Sequence, residues 1–224
     1  MKITILSICP EQFESFKKTP LIDRNLRSGL LDLQIVDIKN YAKGSFRKVD
    51  DSPYGGGPGM ILRIQPLLDA LNDNRSESSH TVLLTPSGNR FQQQDAHRLS
   101  EMKDLILICG HYEGVDARIY PYVDEWLSIG DYILSGGELP AMVITEALMR
   151  LVKGSMKAES TLEESFEQNL LEYPQYTRPA DSQGQKVPEI LLTGNHEAIR
   201  QWRYKQALKL TETNRPDLLK EKGR

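Results

Sequence analysis

Ser128-Ile129-Gly130-Asp131-Tyr132-Ile133-Leu134-Ser135-Gly136-Gly137-Glu138-Leu139-Pro140 runs the end of a hydrophobic strand through paired glycines directly into a helix. Glycine has no Cβ and tolerates positive φ, so Gly136 and Gly137 let the chain turn sharply and leave room for a flat molecule beside the main chain. Crevices at the carboxyl ends of strands are the usual ligand sites of α/β sheets. The same arrangement recurs upstream, where Leu105-Ile106-Leu107-Ile108-Cys109 ends at Gly110-His111-Tyr112-Glu113-Gly114. Two glycine-interrupted strand ends suggest one shared site. The plainer reading is two tight turns, which glycine also favours.

Outward from these stretches, strand-like runs near residues 2–8, 33–38, 81–85, 104–109 and 123–134 alternate with helix-like stretches near 10–18, 66–73, 91–101 and 138–152. The alternation predicts an α/β fold with a mainly parallel sheet. Glu138 sits in the first turn of the helix after Gly137, where the dipole favours an acid, and Gly154 follows its end. From Ser155 the chain turns polar and small-residued, which predicts a domain over 1–154, a flexible linker over 155–169 and a small helical domain over 170–224. The last of these combines extended Tyr173–Pro179 with an amphipathic helix over Glu197–Leu210. Residues 195–224 carry eight basic and four acidic side chains, with Trp202 and Tyr204 interleaved. Such a helix offers phosphate contacts with stacking surfaces, or else is a solvated helix whose aromatics pack inward.

At 224 residues, 39% of them hydrophobic, the chain can bury a substantial core. A net charge of −3 excludes coating of nucleic acid by bulk electrostatics and confines any RNA contact to a local basic patch. No apolar run reaches the roughly eighteen residues of a membrane span, and Met1–Ile8 is followed at once by Pro10 and charged residues. That start reads as a buried strand, and cytoplasmic residence is the expectation. Cys9 and Cys109 each end an apolar run and read as reduced core thiols. His80, His97, His111 and His196 are scattered without ligand spacing, so no metal site is expected.

No Gly-Lys-Ser/Thr loop and no Gly-x-Gly-x-x-Gly after the first strand occur, which disfavours a nucleotide hydrolase. Tyr54-Gly55-Gly56-Gly57-Pro58-Gly59-Met60, flanked by Asp50, Asp51, Arg47 and Lys48, is a backbone-rich loop that is costly to order without a reason, and reads as a binding loop.

Several long motifs, in order, resemble the bacterial tRNA (guanine-N1) methyltransferases. They are Val49–Met60, Leu84-Thr85-Pro86-Ser87-Gly88, Cys109–Asp116, Ile129–Pro140, Pro174-Gln175-Tyr176-Thr177-Arg178-Pro179 and Gly194-Asn195-His196-Glu197-Ala198-Ile199-Arg200-Gln201-Trp202-Arg203. The resemblance covers nearly the whole chain. It implies a knotted α/β domain of the SPOUT superfamily, an exception to ordinary chain topology, holding S-adenosyl-L-methionine in the knot. It further implies a homodimer with shared active sites and methylation of the tRNA guanine just 3′ of the anticodon. By position, Pro86, Gly88, Gly110, Glu113, Ile129, Gly130, Asp131, Tyr132, Ile133, Leu134, Gly136 and Gly137 are implied to bind the cofactor. Asp50, Gly55, Gly56, Gly57 and Gly59 are implied to face the substrate or the cofactor, and His196, Trp202 and Arg203 to face the substrate. The resemblance admits Mg2+ as a further cation, although no motif here shows it.

Methyl transfer needs alignment and a nucleophile. Guanine N1 carries a proton, so a general base must remove it and a cation should stabilise charge building toward O6. The family places an aspartate base just before Ser-Phe; the matching residue here is Glu164, one methylene longer, with Glu163 as the alternative. Glu172 and Gln175 depart in the same way from the family's usual aspartate and histidine. Arg150 matches the family's catalytic arginine. A different class of reading is a non-catalytic or altered-specificity knotted tRNA-binding protein that has lost its base.

Overall fold

The structure is a computed structural model that describes residues 1–44, 47–157 and 163–220. The chain divides into two compact units, Met1–Met156 and Lys157–Arg224. Residues 158–162 of the expected linker lie outside the described residues.

Five strands of the first unit form one parallel sheet. They are β1 (Lys2–Ser7), β2 (Asp32–Asp37), β5 (His80–Arg90), β6 (Asp104–Cys109) and β7 (Glu125–Ser128), in the order β2-β1-β6-β5-β7. Two short strands, β3 (Asp50–Asp51) and β4 (Ile61–Leu62), pair antiparallel at either end of the glycine loop. β6, whose Leu105–Ile108 stretch is apolar throughout, is buried along its whole length, as the central strand of a sheet covered on both faces must be. Side chains alternate along a strand, so Leu105 and Leu107 join one core with Ile3, Ile5, Val82 and Leu84. Ile106 and Ile108 join the other with Leu6, Leu83 and Leu67.

Helices cover both faces. On the first lie α1 (Phe13–Phe16), α2 (Pro20–Arg27), α4 (Gln93–Ser100) and α5 (Glu138–Leu151), whose Ala141, Ile144, Leu148 and Met149 are buried. On the second lies α3 (Ile64–Asn74), with Leu67, Ala70 and Leu71 inward. Helix α2 is absent from the expectations above, although Pro20 at its first turn is an ordinary start signal. The run expected as strand over 123–134 contributes only Glu125–Ser128, because Gly130 turns the chain at φ +154°.

Strand β5 has an irregularity that shapes the site. Leu84 and Asn89 both pair with Leu127 of β7, so Thr85-Pro86-Ser87-Gly88 bows out of the ladder. Proline has no N–H to give a ladder, and Gly88 closes the bow: a Cβ there would stand 2.5 Å from Leu127 N and 2.6 Å from the Trp126 carbonyl carbon. Backbone cannot swing aside, so Gly88→Ala is expected to lower unfolding free energy by about 1–3 kcal/mol, the usual cost of overpacking. Chemical denaturation would check this; an unchanged midpoint would refute the tight contact.

In the second unit, α6 (His196–Asn214) is capped by Asn195, whose side chain accepts from the Ala198 N–H at 3.1 Å. The Leu171 N–H donates to Thr211 Oγ1 at 2.8 Å, which fastens the preceding segment to this helix. A short hairpin, β8 (Asp181–Ser182) with β9 (Gln185–Lys186), and α7 (Asp217–Lys220) complete the described part.

Candidate active site

A cavity of about 360 Å³ opens at the carboxyl ends of β5, β6 and β7. Three chain segments, with Tyr120 and Pro140, wall it: Leu83–Ser87 with the bow in β5, Gly110–Val115 after β6, and Leu127–Gly137 after β7, apart from Asp131. The last two are clasped together. The Gly137 N–H donates to the Gly110 carbonyl at 2.7 Å, and His111 bridges Gly136. A Cβ on Gly137 would lie 2.7 Å from the Cys109 Cα and 3.0 Å from the Gly110 nitrogen, so only glycine permits the clasp.

The glycine strand ends therefore converge on one cavity. Pro86, Gly110, Glu113, Ile129, Gly130, Tyr132, Ile133, Leu134, Gly136 and Gly137 all line it. Gly88 does not: it packs against the β7 backbone and lets the bow form. Asp131 points outward, its side chain 87% exposed and 3.4 Å from Arg90.

Of the residues expected to face substrate, Asp50 pairs with Leu62 across β3 and β4. The end of the glycine loop adjoins the cavity, because the Glu113 N–H donates to the Met60 carbonyl at 3.0 Å and a Cβ on Gly59 would overlap the Glu113 side chain. Gly55, Gly56 and Gly57 stand in open space at positive φ. Tyr112, at φ +59°, lines the cavity without having been singled out. Burial, and then the negative charge of Asp50, push its hydroxyl pKa up.

The cavity's electrostatics are distinctive. Among the described residues that line it, Glu113 is the sole carboxylate and there is no lysine or arginine. A phosphorylated nucleotide would find no lysine or arginine among those residues to pair with. A cationic nucleoside-type ligand would find one carboxylate, apolar walls (Leu84, Leu127, Ile129, Leu134) and backbone polar groups, in a volume within the usual range for ligand sites. S-adenosylmethionine, a sulfonium, fits that donor set.

Arg150 lies in the last turn of α5, whose first turn borders the cavity. At 1.5 Å per residue, Arg150 is about 18 Å along the helix axis from Glu138. In the second unit, Glu164 lines a hollow with Glu163, Leu171, Arg200 and Tyr204. Glu163 is engaged: Tyr173 donates to it at 3.1 Å and Arg203 approaches at 3.9 Å. The Arg203 guanidinium also lies 4.7 Å over the Tyr173 ring, and its Nε is buried without a hydrogen-bond partner. Arg203 thus helps hold the unit together. Trp202 faces Tyr176 at 6.4 Å across a second hollow of about 480 Å³, while His196 opens α6 outside both.

A backbone-walled cavity at the carboxyl edge of a parallel sheet, with Glu113 as the one carboxylate among the described residues lining it, defines an α/β protein whose site suits a cationic, nucleoside-type ligand. The chain belongs to the tRNA (guanine-1)-methyltransferase family: the family model described as "tRNA (Guanine-1)-methyltransferase TrmD" matches residues 1–221. A tRNA (guanine-N(1)-)-methyltransferase from Malacoplasma penetrans is 49% identical over 97% of this chain and 96% of its own length. Namesakes from Dictyoglomus turgidum and Clostridium acetobutylicum are 46% and 44% identical, over 99% and 97% of this chain and 91% and 90% of their own lengths. Among the described residues no helix is long and apolar enough to cross a membrane.

Proposed function

We propose that this protein transfers the methyl group of S-adenosylmethionine to N1 of the guanine immediately 3′ of the anticodon, position 37, in tRNA. The observation that carries the cofactor reading is the cavity walled by glycine backbone, with Glu113 as the one carboxylate among the described residues lining it. Family membership supports the substrate, and does not favour a non-catalytic binder. A cytoplasmic location is part of the same reading.

When bound, the cofactor supplies an electrophilic methyl group. The chain's residues do the rest. Gly110, Gly136 and Gly137 hold the cavity wall close to the ligand, and Glu113 offsets its positive charge. Glu164 takes the N1 proton, and Arg150 stabilises the charge that then builds on O6. Because Arg150 stands at the far end of α5 from its own cavity, it serves the site of a second copy, and the working unit is a homodimer with shared sites. Residues 1–154 act as the cofactor domain and 170–224 as the tRNA-binding domain, joined by the intervening linker.

Incubating the protein with labelled cofactor and tRNA transcripts carrying guanine or adenine 3′ of the anticodon tests this. Label should enter only the guanine transcript. Equal labelling of both would refute N1 of guanine, and no labelling despite cofactor binding would point to a non-catalytic binder.

Lys205 and Lys209 are exposed on successive turns of α6. Replacing both with alanine is expected to raise the KM for tRNA and to flatten its log-log salt slope by about 0.7–0.9 for each phosphate no longer neutralised, with cofactor binding unchanged. Arg203 is left intact because its removal would also release Glu163 and Tyr173. An unchanged salt slope would take this face off the RNA path.

A further inference from the structure

Cys9, His111 and Glu138 lie far apart in the chain, yet they offer a sulfur, a ring nitrogen and a carboxylate oxygen all within 4.8 Å of one another. The sheet order explains the meeting. β1 and β6 are parallel neighbours, so Cys9 and His111, each just beyond its strand, emerge side by side. Glu138, the first residue of α5, is held against them by the clasp between Gly137 and Gly110.

The carboxylate is 3% exposed. One oxygen accepts from the Ser7 hydroxyl at 2.7 Å, and the same hydroxyl accepts from the Cys9 N–H at 2.9 Å. The other oxygen lies 3.5 Å from His111 Nδ1, a buried nitrogen with no hydrogen-bond partner. A buried carboxylate facing an unpartnered imidazole nitrogen is a costly arrangement unless something lies between them. Gly136 leaves the room, since a Cβ there would overlap both His111 Nδ1 and Glu138 Oε2.

We propose that Cys9, His111 and Glu138 form a binding site for a zinc-type divalent cation, oriented by Ser7 behind the cavity wall. The donor set decides the metal: sulfur with imidazole suits zinc and its neighbours, whereas magnesium and calcium take oxygen ligands. Three protein ligands leave a fourth tetrahedral position for water. Metal bonds of about 2.0–2.3 Å require the side chains to draw together by rotation. Cys9 binds as thiolate, its proton passing to solvent. Ser7 does not touch the metal; it fixes the carboxylate that does. The site stands whatever the adjoining cavity holds. Occupancy would lock His111 and Gly136, both part of the cavity wall, in place.

The competing explanation is a proton shared by His111 and Glu138, which needs no thiol. Full-length protein stripped with chelator and titrated with Co2+ separates the two. The expected result is one equivalent bound with a near-ultraviolet thiolate-to-cobalt absorption band, bleached by Zn2+ and absent from Cys9→Ala. Ser7→Ala, a milder change, should weaken Zn2+ binding about ten- to a hundredfold, as loss of a ligand-orienting partner does. No thiolate band in the wild-type protein, or an unchanged Zn2+ affinity in folded Cys9→Ala, would overturn the site and leave the shared proton.

Discussion

Glu164→Gln is expected to lower turnover by about a hundredfold or more, the range for losing a general base, with cofactor affinity unchanged. Glutamine keeps the size and hydrogen-bonding capacity of the side chain and removes its basicity, so the loss isolates proton abstraction from packing. Glu164→Asp should keep substantial activity, because it retains the carboxylate and changes reach by one methylene. Glu163→Gln should lose less, since it leaves the Glu164 carboxylate, the assigned base, in place. If base and arginine act from different chains, mixing Glu164→Gln with Arg150→Ala protein should restore activity in a fraction of heterodimers. Single-turnover kinetics read the first effect and subunit exchange the second. Wild-type turnover in Glu164→Gln would remove the base assignment, and no rescue after verified exchange would remove the shared site.

Gly137→Ala should cost at least about a hundredfold in S-adenosylmethionine affinity, or about 2.7 kcal/mol. The added methyl would press on the main chain at the end of β6, 2.7 Å from the Cα of Cys109 and 3.0 Å from the nitrogen of Gly110. Those atoms belong to the backbone of the fully buried β6 and the residue that follows it, so the clasp must open and the cavity wall with it. Gly110→Ala makes the comparison. Its Cβ would meet the Leu84 carbonyl at 3.2 Å and Val115 at 3.9 Å, a crowding that a shift of a few tenths of an ångström relieves. Calorimetry on both variants, with melting curves to confirm folding, should rank Gly137→Ala far below Gly110→Ala. Wild-type affinity in folded Gly137→Ala would mean that the clasp does not shape the ligand site.

Much of the architecture was legible because it is local. The apolar run over 104–109 reads as a strand, and Glu138 after paired glycines reads as a helix start; both elements occur where expected. Helix α2 escaped because it is short and amphipathic only over eight residues, although Thr19-Pro20 marked its start. The bow at Thr85–Gly88 left no signal of its own, since it exists only as a register shift against β7. Arg203 was legible as a basic residue among aromatics, but its partners, Glu163 and Tyr173, lie thirty or more positions away.

Glycine placement, apolar runs and the absence of a phosphate-binding lysine are properties of neighbouring residues, and the sequence by itself therefore determined an α/β chain with glycine-ended strands and a family resemblance along nearly its whole length. Which residues meet was decided by the strand order β2-β1-β6-β5-β7. Parallel pairing sets the ends of β1 and β6 side by side, so a cysteine, a histidine and a glutamate without any ligand spacing in the chain come within 4.8 Å. It also leaves Arg150 a helix length from the cavity that its own α5 helps to close. Spacing along a chain constrains contacts only within a few residues; beyond that, proximity belongs to the packing of the sheet.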